Sequence, residues 1–385
     1  MAAPDGPPRA APCFAAATGG TAVGHWQVTG LAPALSVRPG ELAVLHNADA
    51  GTAAAALARG AAAVMTARAA PPLPPQVPQL RVASLAAALE ALGMPLAQRS
   101  VVVGIAPGSA AAMAGDMLAI MLGRQMSVTR VPGPARPGRP IPQADVVLLA
   151  LDGSLASMAA PDLVVACGES GALPGCRPVR VHRIGHRTAA EVEVAGVRLL
   201  IRLASAAPQA LDAACAALAA VHALGADPAL AALDLAGWRP GPGQGAHHRV
   251  VLDPLEDAAL DLLDAAGPPE AAAFTAAFAH LAAVAPGRRG RRIAILTAPP
   301  PFDADLPAAD VVHTVGPDAA ILPGNLSVYR RGRHLPEVAA ARPGLRRLLH
   351  PGDVVLVKGG PEAAGVVDAL RKLGHRDRHA TQEID

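Results

Sequence analysis

The chain has 385 residues, 52% of them hydrophobic but only 2% aromatic, and a formal net charge of +2 from 33 basic and 31 acidic side chains. That length suits two or three domains, and the balanced, dispersed charge argues against a nucleic-acid-binding protein. With so few aromatic residues the core must be filled by Ala, Leu and Val, which calls for closely packed helices.

Residues 1–18 contain Asp5, Arg9 and several prolines but no continuous apolar stretch of the secretory type, so the expected location is the cytoplasm. Cys13, Cys167, Cys176 and Cys215 are scattered, without the spacing of a zinc site or a disulfide framework. From there the spacing predicts a helix over 54–60, a strand over 62–65, a proline-rich loop over 71–78, a strand over 80–82 and a helix over 84–92. Ser84 is placed to cap that helix.

The next stretch opens with an apolar strand over 100–105, a Gly/Ser loop and an apolar helix over 111–122. Ala106-Pro107-Gly108 and Asp116 interrupt the apolar run, so it lacks the ~20 continuous apolar residues of a membrane span. Strand, loop and helix in that order are how a nucleotide-binding fold begins. Five prolines within 132–142 predict an irregular connection. Strands are expected at 145–151 and 163–167, a hairpin or edge pair at 179–182 and 190–201, and a helix over 207–224 stopped by Gly225.

After a loop over 240–245, strands are expected at 250–252, 292–296, 311–315 and 354–358, with helices over 270–284 and 362–373. This alternation predicts a second doubly wound unit. Arg288, Arg289, Arg291 and Arg292 form the one basic cluster and read as a solvated loop before a strand. His247 and His248, beside Arg249 and near Asp253, should point to opposite faces of a strand as it leaves its loop. A serine hydrolase is excluded because no Gly-x-Ser-x-Gly elbow is present, and Gly104, Gly108 and Gly115 lack dinucleotide-fingerprint spacing.

Several short motifs, taken in order, resemble the Mur ligases, and within them the branch that adds D-alanyl-D-alanine to UDP-N-acetylmuramoyl-tripeptide. Ala15-Ala-Ala-Thr-Gly-Gly20, Val28-Thr-Gly30 and Val37-Arg-Pro-Gly-Glu-Leu42 look like that family's opening sheet, and residues 53–65 like the helix and strand that follow. Pro351-Gly-Asp-Val-Val-Leu-Val-Lys-Gly359, Glu362 and Val366-Val-Asp-Ala-Leu-Arg371 look like its last strand and helix. The resemblance implies an α/β, three-domain architecture: a UDP-precursor-binding domain over 1–98, a central domain over 99–243 with a P-loop-like parallel sheet, a Rossmann-like domain over 244–378 and a tail over 379–385.

The same resemblance implies a phosphate loop with Lys and Thr, which hold phosphate and magnesium. Here that stretch reads Gly104-Ile-Ala-Pro-Gly-Ser-Ala-Ala-Ala-Met113, with Ala111 and Ala112 in those places. Gly104, Gly108 and Ser109 are left as candidates for residual phosphate binding at a helix N-terminus. Lys358 and Lys372 are the only lysines, and neither lies in the central domain where the family keeps its phosphate-loop and carbamylated lysines. Asp152 and Glu169 remain as loop carboxylates; Pro208 and Asp212 stand for the family's His and Asn, and Gly243-Gln244 for its hinge Gly-Arg.

These losses point to a non-catalytic member of peptidoglycan precursor metabolism with no metal site, no catalytic residues and no required cofactor. Its expected partners are cell-wall biosynthesis enzymes or a UDP-linked precursor. The alternative is an active ligase needing ATP and magnesium, with Arg124 or Arg130 in place of the missing lysine. A plain small-molecule binding protein is a third reading.

Overall fold

The computed structural model describes residues 8–34, 36–45, 50–93, 100–108, 110–134, 144–151, 163–167, 175–253, 255, 258–267, 270–300, 306, 308–322 and 326–373. Its first unit contains β1 (Arg9–Ala10), α1 (Ala11–Thr18), β2 (Thr21–Val23), β3 (Gln27–Val28), β4 (Leu31–Pro33), β5 (Leu42–Val44), α2 (Ala50–Ala58), β6 (Ala63–Ala67), β7 (Gln79–Val82) and α3 (Leu85–Leu92). Five strands form a sheet in the order β2-β7-β6-β5-β4, parallel except for β2. Residues 15–18, expected in the opening sheet, instead finish helix α1, which carries Pro12 in its first turn and stops at Gly19 in the left-handed region. Ser84 caps α3 as expected, its hydroxyl accepting from the Ala87 N–H at 3.4 Å.

The central parallel sheet is built from β8 (Val101–Ile105), β9 (Val128–Pro134), β10 (Val146–Ala150) and β11 (Leu163–Val165) in the order β11-β8-β10-β9. Helix α4 (Ala111–Leu122) follows β8 and buries Met113, Met117, Leu118, Met121 and Leu122. An antiparallel sheet comes next: β12 (Cys176–Ile184), β13 (Arg187–Val194) and β14 (Val197–Leu203). The single strand expected over 190–201 is therefore two, because Ala195 and Gly196 turn the chain with φ of 48° and 85°.

Ala190, Val192, Val194 and Ile201 on the inner face of that sheet share one core with helix α5 (Pro208–Ala223). Eleven residues of α5 are buried, seven of them alanine. Helix α6 (Pro228–Leu235), absent from the sequence expectation, is capped by Asp227, whose carboxylate accepts from the Ala229 N–H at 2.7 Å. Cys176 and Cys215, far apart in sequence, share a thiol hydrogen bond inside this core.

The third unit comprises β15 (Ala246–Asp253), β16 (Ala258–Ala266), α7 (Ala271–Ala283), β17 (Arg292–Leu296), β18 (Val311–Val315), β19 (Arg331–Leu335), α8 (Ala341–Arg346), β20 (Val354–Gly359) and α9 (Glu362–Arg371). Its sheet runs β15-β16-β20-β17-β18-β19, with only the β15–β16 pair antiparallel. Strands β16 and β19 were not expected. The first has the Ala/Leu/Asp composition of a helix, and the second is a polar edge strand, Arg-Gly-Arg-His-Leu. No helix among the described residues is long and apolar enough to cross a membrane.

Half of the arginine cluster is not a solvated loop. Asp353, with a fully buried side chain, accepts from Arg291 Nη2 at 2.9 Å, from the Arg291 N–H and the His350 N–H at 2.8 Å each, and so fixes the turn before β20. Arg292 donates Nε to the carbonyls of Leu281 and Val284, closing the end of α7. The turn is tight enough that a Cβ on Gly290 would lie 1.9 Å from the Gly352 carbonyl oxygen.

Removing one partner of a buried ion pair leaves the other charge without compensation, so Asp353→Ala should cost about 3 kcal/mol in urea unfolding at neutral pH. Burial also holds His280 and His313 neutral, pushing each down to about 4 from 6.5. Because the unfolded chain takes up these protons first, the stability they contribute is complete above pH 6.5 and drains away as the pH falls toward about 4. Denaturation midpoints measured across that range should fall with acid, and His313→Phe should flatten part of the fall.

Candidate functional site

Open parallel sheets bind ligands beyond the carboxyl ends of their strands, where the order of connections reverses. In the central sheet that point lies between β8 and β10, from which the chain leaves in opposite directions toward β9 and β11 respectively. In the third unit's sheet β20 sits between β16 and β17. The two sheets aim these ends at each other. Ile105, Ala150 and Leu151 from one side, and Ala266, Gly267 and Lys358 from the other, wall a single cleft of about 970 Å3.

Its floor is the loop after β8 and the first turn of α4. Gly108, Ala111, Ala112 and Gly115 face the cleft, so the two positions that should carry Lys and Thr present methyl groups to it. Helix α4 has no side-chain cap on its first turn. Of the residues expected to retain phosphate binding, Gly108 lines the cleft. Gly104 does not: a Cβ there would sit 2.8 Å from the Leu151 side chain, so this glycine serves packing within the sheet. Ser109, Asp152 and Glu169 lie outside the described residues.

Two cations reach the cleft wall. Arg130, on β9, forms an ion pair with Asp116 of α4. Lys358, at the end of β20, is only 2% exposed; its ammonium lies 5.4 Å above the Phe274 ring and 3.4 Å from the Gly267 carbonyl oxygen. Burial lowers its pKa, and the charge of Glu270 opposes that shift. A lysine assigned by sequence position to a remote domain thus stands on the wall opposite Ala111 and Ala112. Sequence distance hid it, and the only available signal was its place at the end of a buried strand. Arg124 is drawn away to Asp234, at 2.5 Å.

Among the described residues the donor set does not suit a magnesium ion held by protein alone. Glu270 is the only carboxylate among the described lining residues, and the nearby Asp116 is engaged by Arg130 and by Gln244 Nε2, the latter at 3.2 Å. A hard divalent cation held without substrate phosphates needs several protein oxygen donors converging on one point. Among the described residues no cluster of His, Cys, Asp or Glu has that arrangement. Asp212 lies by Arg183 and Cys167, with its carboxyl pushed up by burial and only partly offset by Arg183.

The loop between α6 and β15, where the sequence resemblance places a hinge, lines the cleft through Pro242, Gly243 and Gln244. Gln244 ties it to α4 through Asp116, while Gly243 and Gly245 turn it with φ of 76° and 82°. A Cβ on Gly243 would lie 2.2 Å from the Ala266 carbonyl oxygen.

No protein-family model and no curated protein sequence matches the chain. Solved structures do. The MurF ligase of Thermotoga maritima, determined in complex with ADP, aligns over 89% of this chain and 97% of its own, with a TM-score of 0.54 and 16% identity. MurF from Acinetobacter baumannii aligns over 96% and 99%, with a TM-score of 0.54 and 14% identity. The chain has the Mur-ligase fold. UDP-N-acetylmuramate-alanine ligase MurC of Thermotoga maritima adds a further likeness, with a TM-score of 0.52 and 15% identity over 80% of this chain and 84% of that one. The Mur-ligase fold accounts for three sheet-bearing units joined in series and for a cleft between the second and third.

Gly243→Ala is expected to destabilise the Mur-ligase frame at its hinge by roughly 1–3 kcal/mol, from a disallowed φ and a clash with Ala266. Chemical denaturation measures the loss; a stability equal to wild type would mean that the hinge tolerates another backbone path.

Proposed function

We propose that this protein belongs to peptidoglycan precursor metabolism and acts there as a binding or scaffold pseudoenzyme rather than as a ligase. The observation that carries this reading is the pair Ala111 and Ala112 on the cleft floor. An ATP-driven ligase needs a cation against the transferring phosphoryl group and a metal held by hydroxyl and carboxylate oxygens. Methyl groups at the loop positions, one lining carboxylate and an Asp116 already engaged by Arg130 and Gln244 supply neither a loop cation nor a hydroxyl for the metal in the described part of the cleft.

In this reading the chain divides into units over 1–98, 99–243 and 244–378, with the rest a tail. Its partners are a UDP-linked precursor or other cell-wall enzymes, and it works in the cytoplasm. Of the candidates Gly104, Gly108 and Ser109, the described residue left to form an anion-binding turn is Gly108, which faces the cleft, while Gly104 packs against Leu151.

One observation favours a second reading, an active ATP-dependent UDP-N-acetylmuramoyl-tripeptide–D-alanyl-D-alanine ligase. Lys358 and Arg130 both reach the cleft, so positive charge is available there without a phosphate-loop lysine.

A single experiment separates the two. Purified protein is mixed with ATP, magnesium, UDP-N-acetylmuramoyl-tripeptide and D-alanyl-D-alanine, and inorganic phosphate is followed alongside peptide product. The proposal expects no phosphate above the protein-free blank, with thermal stabilisation by UDP-linked precursor in the same buffer. Sustained phosphate release that disappears in Lys358→Met would establish the ligase reading instead.

A further inference from the structure

The hairpin between β12 and β13 turns at Gly185, whose φ of 58° only glycine adopts freely, and this places His186 at the tip. His247 is the second residue of β15, beyond the Gly243–Gly245 hinge. The two imidazoles lie face to face, with ring centroids 3.8 Å apart and planes within 5°. His247 Nε2 is 2.6 Å from Asp261 Oδ1 on β16, its diagonal neighbour across the antiparallel pair. A three-residue chain Asp261–His247–His186 therefore links the antiparallel hairpin of the second unit to the sheet of the third.

Parallel imidazoles at this separation stack well when both are neutral or when one is charged. Two imidazolium rings at the same separation repel strongly in a partly desolvated setting. His186 faces His247, Arg187 and Asp261. His247 faces His186, Asp261, the buried His280 behind it and His248 beside it, while Asp261 also faces Arg249. Asp261 is the only carboxylate among these groups, and its short contact is with His247. Burial, then the charges of His247 and Arg187, keep the proton off His186, with Asp261 opposing. Both ring nitrogens of His280 are without a hydrogen-bond partner among the described residues, so that ring offers the pair no proton-sharing contact.

We propose that the His186–His247 stack is a pH-sensitive latch across the cleft hinge, shut while His186 is neutral and released when both rings carry a proton. The sign follows from the surroundings. The stacked state disfavours the His186 proton, so the unstacked state binds it more readily, and acid draws the equilibrium toward opening. The latch holds above the ordinary imidazole value of 6.5 and weakens as the pH falls below it. Because the linkage joins the two units whose strand ends wall the cleft, its release frees the hinge loop to swing. The inference is independent of which ligand the cleft takes.

The test uses the full chain with a fluorescent donor and acceptor introduced through unnatural amino acids at Val197 and Tyr329, which are 59% and 96% exposed. Energy transfer is followed from about pH 8 to about pH 5.5, across the histidine range. The expected result is a reversible change in transfer with its midpoint below the ordinary imidazole value. His186→Phe keeps an aromatic face in the stack but takes no proton, and should hold the high-pH transfer value throughout. His186→Gln, which removes the stack at a partly exposed hairpin tip, should show the low-pH value already at about pH 8. Both variants retain His280 and His313, so a general acid loosening would persist in His186→Phe. An unchanged response in that variant, or a flat profile in wild type, would overturn the latch.

Discussion

Helix α5 is packed on every side, and the rest of the molecule is arranged around that fact. One flank meets α4, another meets α6, the inner face of the β12–β14 sheet lies against it, and α7 of the third unit reaches it as well. A helix so surrounded must offer short side chains, because each added methylene pushes the neighbouring axis outward. Alanine supplies the contact surface with no side-chain entropy to lose on burial. The aromatic scarcity of the sequence thus reflects a design in which backbones approach closely. Trp238, fully buried near the end of α6, is the large residue that closes the core, and its indole N–H has no partner among the described residues.

From this packing follows the placement of the cleft. α5 holds the central sheet and the antiparallel hairpin in one body, and α5 with Ala206 carries the third unit, since Ala206 sits in the same core as Leu263, Phe274 and Leu356. The strand ends of two sheets are thereby brought face to face. Charge is then apportioned within a narrow space: Asp116 is occupied by Arg130 and Gln244, and Lys358 is shielded by Phe274. These charges are thus paired or covered by neighbouring side chains.

Much of the frame was legible in the sequence because Gly and Pro mark its boundaries. Helix α4 and strands β17 and β18 fall where the spacing placed them, and Ser84 caps α3. Failures have identifiable physical causes. Strand β16 is written in helix-forming residues and becomes a strand because it lies between β15 and β20. Helix α6 hides behind Pro228, which reads as a breaker but suits a first helical turn. The arginine cluster looked solvated because nothing in one dimension reveals the buried Asp353 beside it. For the cleft, the losses at Ala111 and Ala112 were readable, whereas the gain of Lys358 was not, since strand order in a sheet is a three-dimensional property.

The near-absence of lysine has a consequence for how the molecule behaves in alkaline solution. Of 33 basic side chains only two are lysines, and the rest are guanidinium groups that keep their charge at any pH a protein survives. By residue type, few side chains here lose a proton in mild alkali beyond two lysines, one tyrosine and four cysteines, and the hydrogen bond with Cys176 and burial push the Cys215 thiol up out of reach. The surface cations at Arg180, Arg187, Arg198 and Arg202 therefore present the same positive charge throughout. A lysine-rich relative would see its attraction for anionic groups fade in mild alkali, while this chain would hold an almost level electrostatic profile. Reagents that attack amines would find scarcely any side-chain target on it.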